Sequence, residues 1–281
     1  MNTETDVLFI SHGGGPMPLL GDPGHREMVA RLTEVAGKLR KPSAILVVSA
    51  HWEASVPTIT SSARPPLIYD YSGFPPEAYN IQYPCPGEPK LACQIYQALD
   101  QAGIRARLDD QRGFDHGLFV PLKLMYPAAD IPCIQLSLVN SLDASTHLAI
   151  GKALQAVDYD NLLVIGSGFS FHNMRAFFSA NTSEVQARNQ AFEDWLEETC
   201  ADNSMPESER AERLAHWDLA PPCPVLPSPG RASSAFACLL WPSEQGERRS
   251  YLGNHSRQEI RDVLLANREA RLKRQAWTFR V

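Results

Sequence analysis

Four short apolar runs constrain this chain more than any other feature: DVLFIS (6–11), AILVVSA (44–50), CIQLSLV (133–139) and LLVIGSG (162–168). They are rich in β-branched residues, and most end in small ones. Continuous apolar runs of this length read as strands buried on both faces, the habit of a parallel sheet. Between and after them, HREMVARLTEVAGKLR (25–40), PKLACQIYQALDQAG (89–103), STHLAIGKALQAV (145–157), 183–201 and 206–217 carry helical spacing, the last opened by Pro206 and Glu207. The expectation is an α/β domain: a central, mostly parallel or mixed sheet flanked by helices, with its active site at the carboxyl ends of the strands. One stretch stands apart. Residues 64–88, rich in proline and aromatics, read as a long surface loop, a lid or pocket wall. Tyr69, Tyr71, Phe74, Tyr79 and Tyr83 are its aromatic candidates for packing a ring.

At 281 residues, 44% hydrophobic and 21% charged, the chain suits a globular fold, and no apolar run approaches membrane-spanning length. The N-terminus lacks the basic start and small-residue cleavage site of a signal peptide. The six cysteines show no CxxC spacing and read as reduced thiols, so a cytoplasmic location is expected. Charge is uneven. From residue 221 onward ten Lys/Arg face five Asp/Glu, a balance of +5, which leaves −11 on residues 1–220. Such a basic end suggests either a nucleic-acid or membrane arm or a segment foreign to the fold. The second reading is preferred, with no nucleic acid and no membrane among the expected partners.

Four histidines fall at element ends beside glycine or small residues: His12 in SHGGGP, His51 in SAHW, His116 in GFDHGLFVP and His172 in GSGFSFHNMR. Any one alone reads as readily as a hydrogen-bonded structural histidine. Three arriving from three strands at the edge where open α/β sheets bind ligands form the pattern of a converging site. Imidazole suits Zn, Fe, Cu and Ni, and the triglycine after His12 permits close backbone approach. A phosphate-cradling role is weaker, because neither a Walker pattern nor GxGxxG is present, and no GxSxG elbow appears. His25, His147, His216 and His255 lie on helical or polar stretches and are expected to be surface residues.

SHGGGP, SAHWE, IYDYSGFPPEAYNIQYPCPGEP, GFDHGLFVPLKLMYPAADIPCIQLSL and GSGFSFHNMRAF occur in that order. Together they resemble the class III extradiol ring-cleavage dioxygenases, in the branch that includes the DOPA extradiol dioxygenases, over residues 6–220. The resemblance implies a non-haem Fe(II), with Zn(II) as the second choice, and a catechol-type aromatic substrate opened by dioxygen. It implies that His12 and His51 are metal ligands. His172 would be the base that takes a catechol proton, close enough to the metal to count as a ligand in zinc-loaded members, and His116 would line the pocket. Asp115 is a candidate to orient a neighbouring imidazole. A homo-oligomer is compatible with this reading.

The C-terminal part departs from the resemblance. The family's third ligand is the last histidine of a motif close to HPREEHLLPL, but here PCPVLPSPGRASSAFACLLWPSEQG contains neither histidine nor carboxylate until Glu244. Permitted codons for PVLPSPGRASSAFACLLW (224–241), read from their second nucleotide, spell PYCHPREEHLLPLHVCY. The same frame through NHSRQEIRDVLL (254–265) permits TILGKKSGMFYW, like the family's closing strand. The expectation is a catalytic domain over 1–220 followed by an aberrant segment, 221–281, produced by a one-nucleotide shift, with activity impaired by the missing ligand. Two other readings compete: a non-catalytic metal- or partner-binding protein on the same scaffold, and a zinc hydrolase using His12, His51 and His172.

Overall fold

The computed structural model describes residues 5–168, 183–202 and 204–221. The four apolar runs are strands: β1 (Thr5–Ile10), β2 (Ala44–Ala54), β5 (Cys133–Val139) and β6 (Leu162–Ser167). Two three-residue strands lack a periodicity long enough to read, β3 (Thr58–Thr60) and β4 (Arg107–Asp109). Among the described residues the sheet runs β1-β6-β2-β5-β3-β4. The pairs β1–β6, β6–β2 and β2–β5 are parallel, and β3 turns antiparallel against β5. The sheet is therefore mixed but mostly parallel, on a single α/β domain.

The helices follow the amphipathic spans: α1 (Arg26–Lys38), α2 (Pro89–Gln101), α4 (Ala144–Leu154), α5 (Ser183–Ala201) and α6 (Glu207–Ala215). A further helix, α3 (His116–Met125), is apolar almost all round and shows no stripe to betray it. Alternation along the strands sorts the core into two layers. Leu8, Ile10, Ile45, Val47, Leu163 and Ile165 face α1 and α3, while Leu46, Val48, Ile134, Leu136 and Val164 face α2 and α4. Covering helices on both faces explain why these strands are apolar at every position.

Two features of this frame place the site. The first is a bulge in β2: Val48 pairs with Leu136 but Glu53 with Leu138, so five steps along β2 oppose two along β5. Ser49 to Trp52 stand opposite Ser137 alone, a surplus of three residues. Ser49 still pairs with Ser167 of β6, and the stretch after it arches out of the β2–β5 ladder and carries His51. The second is the segment 64–88, which is tightly structured. Leu67 bridges Phe114, Gly87 bridges Cys133, and the Tyr69 and Tyr71 hydroxyls donate to the Ile81 and Ala78 carbonyls, both at 2.6 Å. Gly87 is required by close approach, because a Cβ there would lie 1.9 Å from the Ser62 carbonyl oxygen.

His25 and His147, expected at the surface, are buried. His147 Nδ1 donates to the Asp143 carbonyl at 2.6 Å and its Nε2 accepts from Val139 N–H at 3.0 Å, tying the start of α4 to the end of β5. Helical spacing alone could not reveal this, because the second partner lies on a strand. His172, His255 and the whole of 222–281 lie outside the described residues.

Candidate metal centre

Three of the four singled-out histidines meet. The ligand atoms of His12, His51 and His116 all lie within 4.8 Å of one another, and His51 Nε2 is 2.9 Å from His12 Nε2. The rings pack with centroids 4.7 Å (His12–His51), 5.2 Å (His12–His116) and 3.9 Å (His51–His116) apart. His12 and His116 are buried and His51 is partly exposed, so the cluster opens on its His51 side.

Each imidazole is held by a neighbour the local sequence supplies. Pro121 sits inside α3 and has no N–H to give the Gly117 carbonyl four residues before it. Ser167 at the end of β6 takes that role, its hydroxyl donating to Gly117 O at 2.5 Å. A hydroxyl has one proton, so Ser167 Oγ must accept at its 3.0 Å contact with His12 Nδ1. His12 is thereby held as the Nδ1–H tautomer, with a bare Nε2 facing the cluster.

His116 is fixed in the same sense by a different group. Asp70 Oδ1 accepts from both the backbone N–H (3.0 Å) and Nδ1 (2.8 Å) of His116, while Asp70 Oδ2 lies 3.8 Å from His51 Nδ1. The orienting carboxylate is thus Asp70 and not Asp115. Burial pushes the Asp70 carboxyl up, but the side-chain and backbone hydrogen bonds from His116, with the neighbouring rings adding, outweigh it and hold the group below its ordinary value.

Asp115 has another task. It is buried at the start of α3, where its carboxylate accepts from Ser49 Oγ (2.8 Å), Gln135 Nε2 (2.9 Å) and Arg112 (3.2 Å). Burial pushes this carboxyl up, with the Asp70 charge adding to it. Ser49 in turn accepts from His51 N–H at 3.2 Å, so one carboxylate links the β2 bulge to the helix that begins with His116. Arg112 also stacks on Trp52 of the bulge, 4.4 Å from the ring centroid.

The triglycine turn is built to follow His12. Gly13 has φ +78, and a Cβ there would stand 2.5 Å from Pro18 Cγ and 2.9 Å from His25 Cδ2. His25 Nε2 accepts from Gly14 N–H at 3.1 Å and its Nδ1 donates to Asp22 at 2.5 Å. Beside the cluster the loop forms an aromatic wall. Tyr71 lies 5.6 Å from His116 and 5.4 Å from Phe74, and Phe74 packs over Gly15. Burial pushes the Tyr71 phenol up to about 12. Tyr83 packs into the body, donating to Tyr126 O at 3.1 Å.

Three imidazoles gathered at one edge of the sheet, with acidic and hydroxyl partners behind the rings and an aromatic wall beside them, make a donor set able to hold a metal ion on an α/β fold. Residues 7–214 match the family described as the catalytic LigB subunit of aromatic ring-opening dioxygenase. The chain belongs to that family.

Among its relatives is a dioxygenase, TasH, of Hapsidospora irregularis, 45% identical over 63% of this chain and 57% of its own length. This chain thus spans little more than half of that relative. The 4,5-DOPA extradiol dioxygenases of Beta vulgaris and Portulaca grandiflora are 38% and 37% identical, each over 78% of this chain, and match over 82% and 81% of their own lengths. The crystal structure of an uncharacterised protein from Escherichia coli K12 superposes with a TM-score of 0.62 at 28% identity, covering 83% of this chain and 87% of the other.

The donor set fits a metal of this family. Neutral imidazoles with one nitrogen bare and the other committed to an acceptor are what a first-row cation binds. Ser49, Asp70 and Ser167 are not flagged by the sequence. Two of them leave a trace there, because a serine stands at the end of β6 and at the start of the β2 bulge, just where a strand hands over to the site.

Proposed function

We propose that this chain is a metal-dependent extradiol dioxygenase that opens a catechol-type ring with dioxygen, holding its metal on His12 and His51. The observation that carries this reading is the convergence of three imidazoles on one point in a member of the family. Fe(II) is the metal proposed for turnover, with Zn(II) as a competent but redox-inert occupant. The bound cation supplies the electrophilic and redox chemistry that dioxygen requires. The chain's own residues do the rest. His116, with Asp70 behind it, turns a bare Nε2 to the site, lines the pocket and hydrogen-bonds substrate or dioxygen there. His172 is the family-implied base for the catechol hydroxyl. Tyr71 and Phe74 exclude water and pack against a planar ring, and the hydroxyls of Tyr69 and Tyr71 are committed to loop carbonyls, so this wall is apolar to a ligand. DOPA, named for the plant relatives, is the first catechol to try.

The test is anaerobic reconstitution of the full chain with Fe(II), followed by oxygen uptake with DOPA and simpler catechols. One dioxygen consumed per ring opened, with a semialdehyde product, supports the reading. An iron-loaded chain that leaves every catechol intact overturns it. One observation favours a reduced activity: no histidine or carboxylate stands between residues 222 and 243, where the family's third ligand belongs. The same assay with zinc and simple esters separates a hydrolase, and metal retention without turnover of any substrate identifies a non-catalytic binder.

A further inference from the structure

The residues behind His12 and His51 come from the strands and helices of the domain. Asp70 does not. It is carried in by the aromatic loop and reaches two of the three imidazoles at once, through Oδ1 to His116 and toward His51 through Oδ2. For His51 to offer Nε2 to a cation its ring proton must sit on Nδ1, the nitrogen that faces Asp70 Oδ2. We propose that Asp70 is a positioning residue of the metal centre. One carboxylate accepts the backbone N–H and Nδ1 protons of His116, sets a negative charge 3.8 Å from His51 Nδ1, and so makes the orientation of the site depend on docking of the loop. The inference rests on the metal reading above and deepens it.

The loop's own attachment does not depend on this carboxylate. Ile68 N–H donates to Phe114 O and Phe114 N–H to Pro66 O, both at 2.8 Å, and Gly87 N–H donates to Ala63 O at 3.0 Å. Tyr69 and Tyr71 staple its interior. Removing the Asp70 carboxylate therefore leaves the loop docked and changes what the two imidazoles face. The same loop carries Tyr71 and Phe74, so the element that would wall a ring substrate is also the one that orients the imidazoles.

The experiment uses the full chain and its Asp70→Asn and Asp70→Ala variants, with Zn(II) alone as the probe. Calorimetric titration gives affinity, and nitrogen-edited NMR of the histidine rings gives tautomers. Asp70→Ala is expected to weaken Zn(II) binding by about 10–100-fold, the usual loss for an outer partner of a ligating histidine. In that variant His116 leaves the Nδ1–H form. Asp70→Asn separates the two contacts. Its amide oxygen still serves His116, so His116 keeps its Nδ1–H form, while the negative charge 3.8 Å from His51 is gone and affinity falls by less than in Asp70→Ala. Asn is isosteric, so this variant carries the test if the alanine variant does not fold. Equal affinity in all three proteins, or unchanged tautomers in Asp70→Ala, overturns the role of Asp70 and leaves the metal reading standing. A wild-type chain that takes up no Zn(II) overturns both.

Discussion

A ligating imidazole must have its second nitrogen committed elsewhere, and this chain meets that demand with partners of different strength. His12 relies on a hydroxyl made acceptor-only at a distance by Pro121: the proline removes an N–H, Gly117 O is left over, and Ser167 commits its proton there. Ser167→Ala should therefore cost about 1–3 kcal/mol of stability through the stranded Gly117 carbonyl, and lower Zn(II) affinity by about 10-fold, at the low end for an outer partner. Chelator competition measures it, and unchanged affinity would remove Ser167 from the site. His147 makes a prediction of the opposite kind, about stability. Burial, opposed by its bond to the Asp143 carbonyl, holds its value below the ordinary 6.5. The native state needs the neutral ring, since Nε2 accepts from Val139 N–H. The unfolded chain thus takes up a proton that the folded one refuses. The stabilisation is present above pH 6.5 and is lost as pH falls below it. Thermal midpoints measured from about pH 7.5 to about pH 5.5 should fall less steeply in His147→Gln than in wild type, and parallel slopes would count against the assignment.

At the scale of elements, the β2 bulge and α3 are one unit joined by Asp115. Asp115→Ala strands Ser49, Gln135 and Arg112 together. Arg112 is partly solvated, so the cost should fall below the roughly 3–5 kcal/mol of a fully buried broken pair, at about 2 kcal/mol. Denaturant unfolding reads this directly. Because His51 N–H leans on Ser49, zinc affinity should drop in the same variant. A stable variant with intact affinity would show that the bulge holds its shape through Trp52 and backbone alone. The triglycine turn is the other element under constraint. Gly13→Ala forces a Cβ against Pro18 and His25 at positive φ, a cost of about 1–3 kcal/mol that calorimetry should detect.

For the molecule as a whole, the decisive fact lies in the contrast between residues 1–220 and the rest. The first part carries a family match that ends at residue 214, while the last 61 residues reverse the charge balance and lack the third-ligand motif. We propose that residues 221–281 are read from a shifted frame. Resequencing the coding DNA across codons 218–275 tests this. Recovery of HPREEHLLPL and LGKK in the second frame makes the corrected chain the enzyme to assay, and their absence makes the tail genuine and the two-ligand site final. Among the described residues no helix is long and apolar enough to cross a membrane.

How much of the molecule is legible in its sequence depends on the range of the interaction. The four long strands, the amphipathic helices, and the placing of His12 just past a strand can be read from the chain, because periodicity and apolar runs are local properties. The family can be read for the same reason, its motifs being contiguous words. The short strands β3 and β4 cannot, since three residues hold no period, nor can α3, which is buried along nearly its whole length. His51, expected just past the second strand, lies inside β2 at its bulge. The pairing of each imidazole with its partner is beyond the reach of the sequence. Ser167 lies 155 residues from His12, and Asp70 lies 46 from His116. The sequence points to Asp115, next to His116, and nothing in it points to Asp70. Only the packed loop decides between them, because a hydrogen bond is fixed by distance and direction in space, and these belong to the tertiary fold.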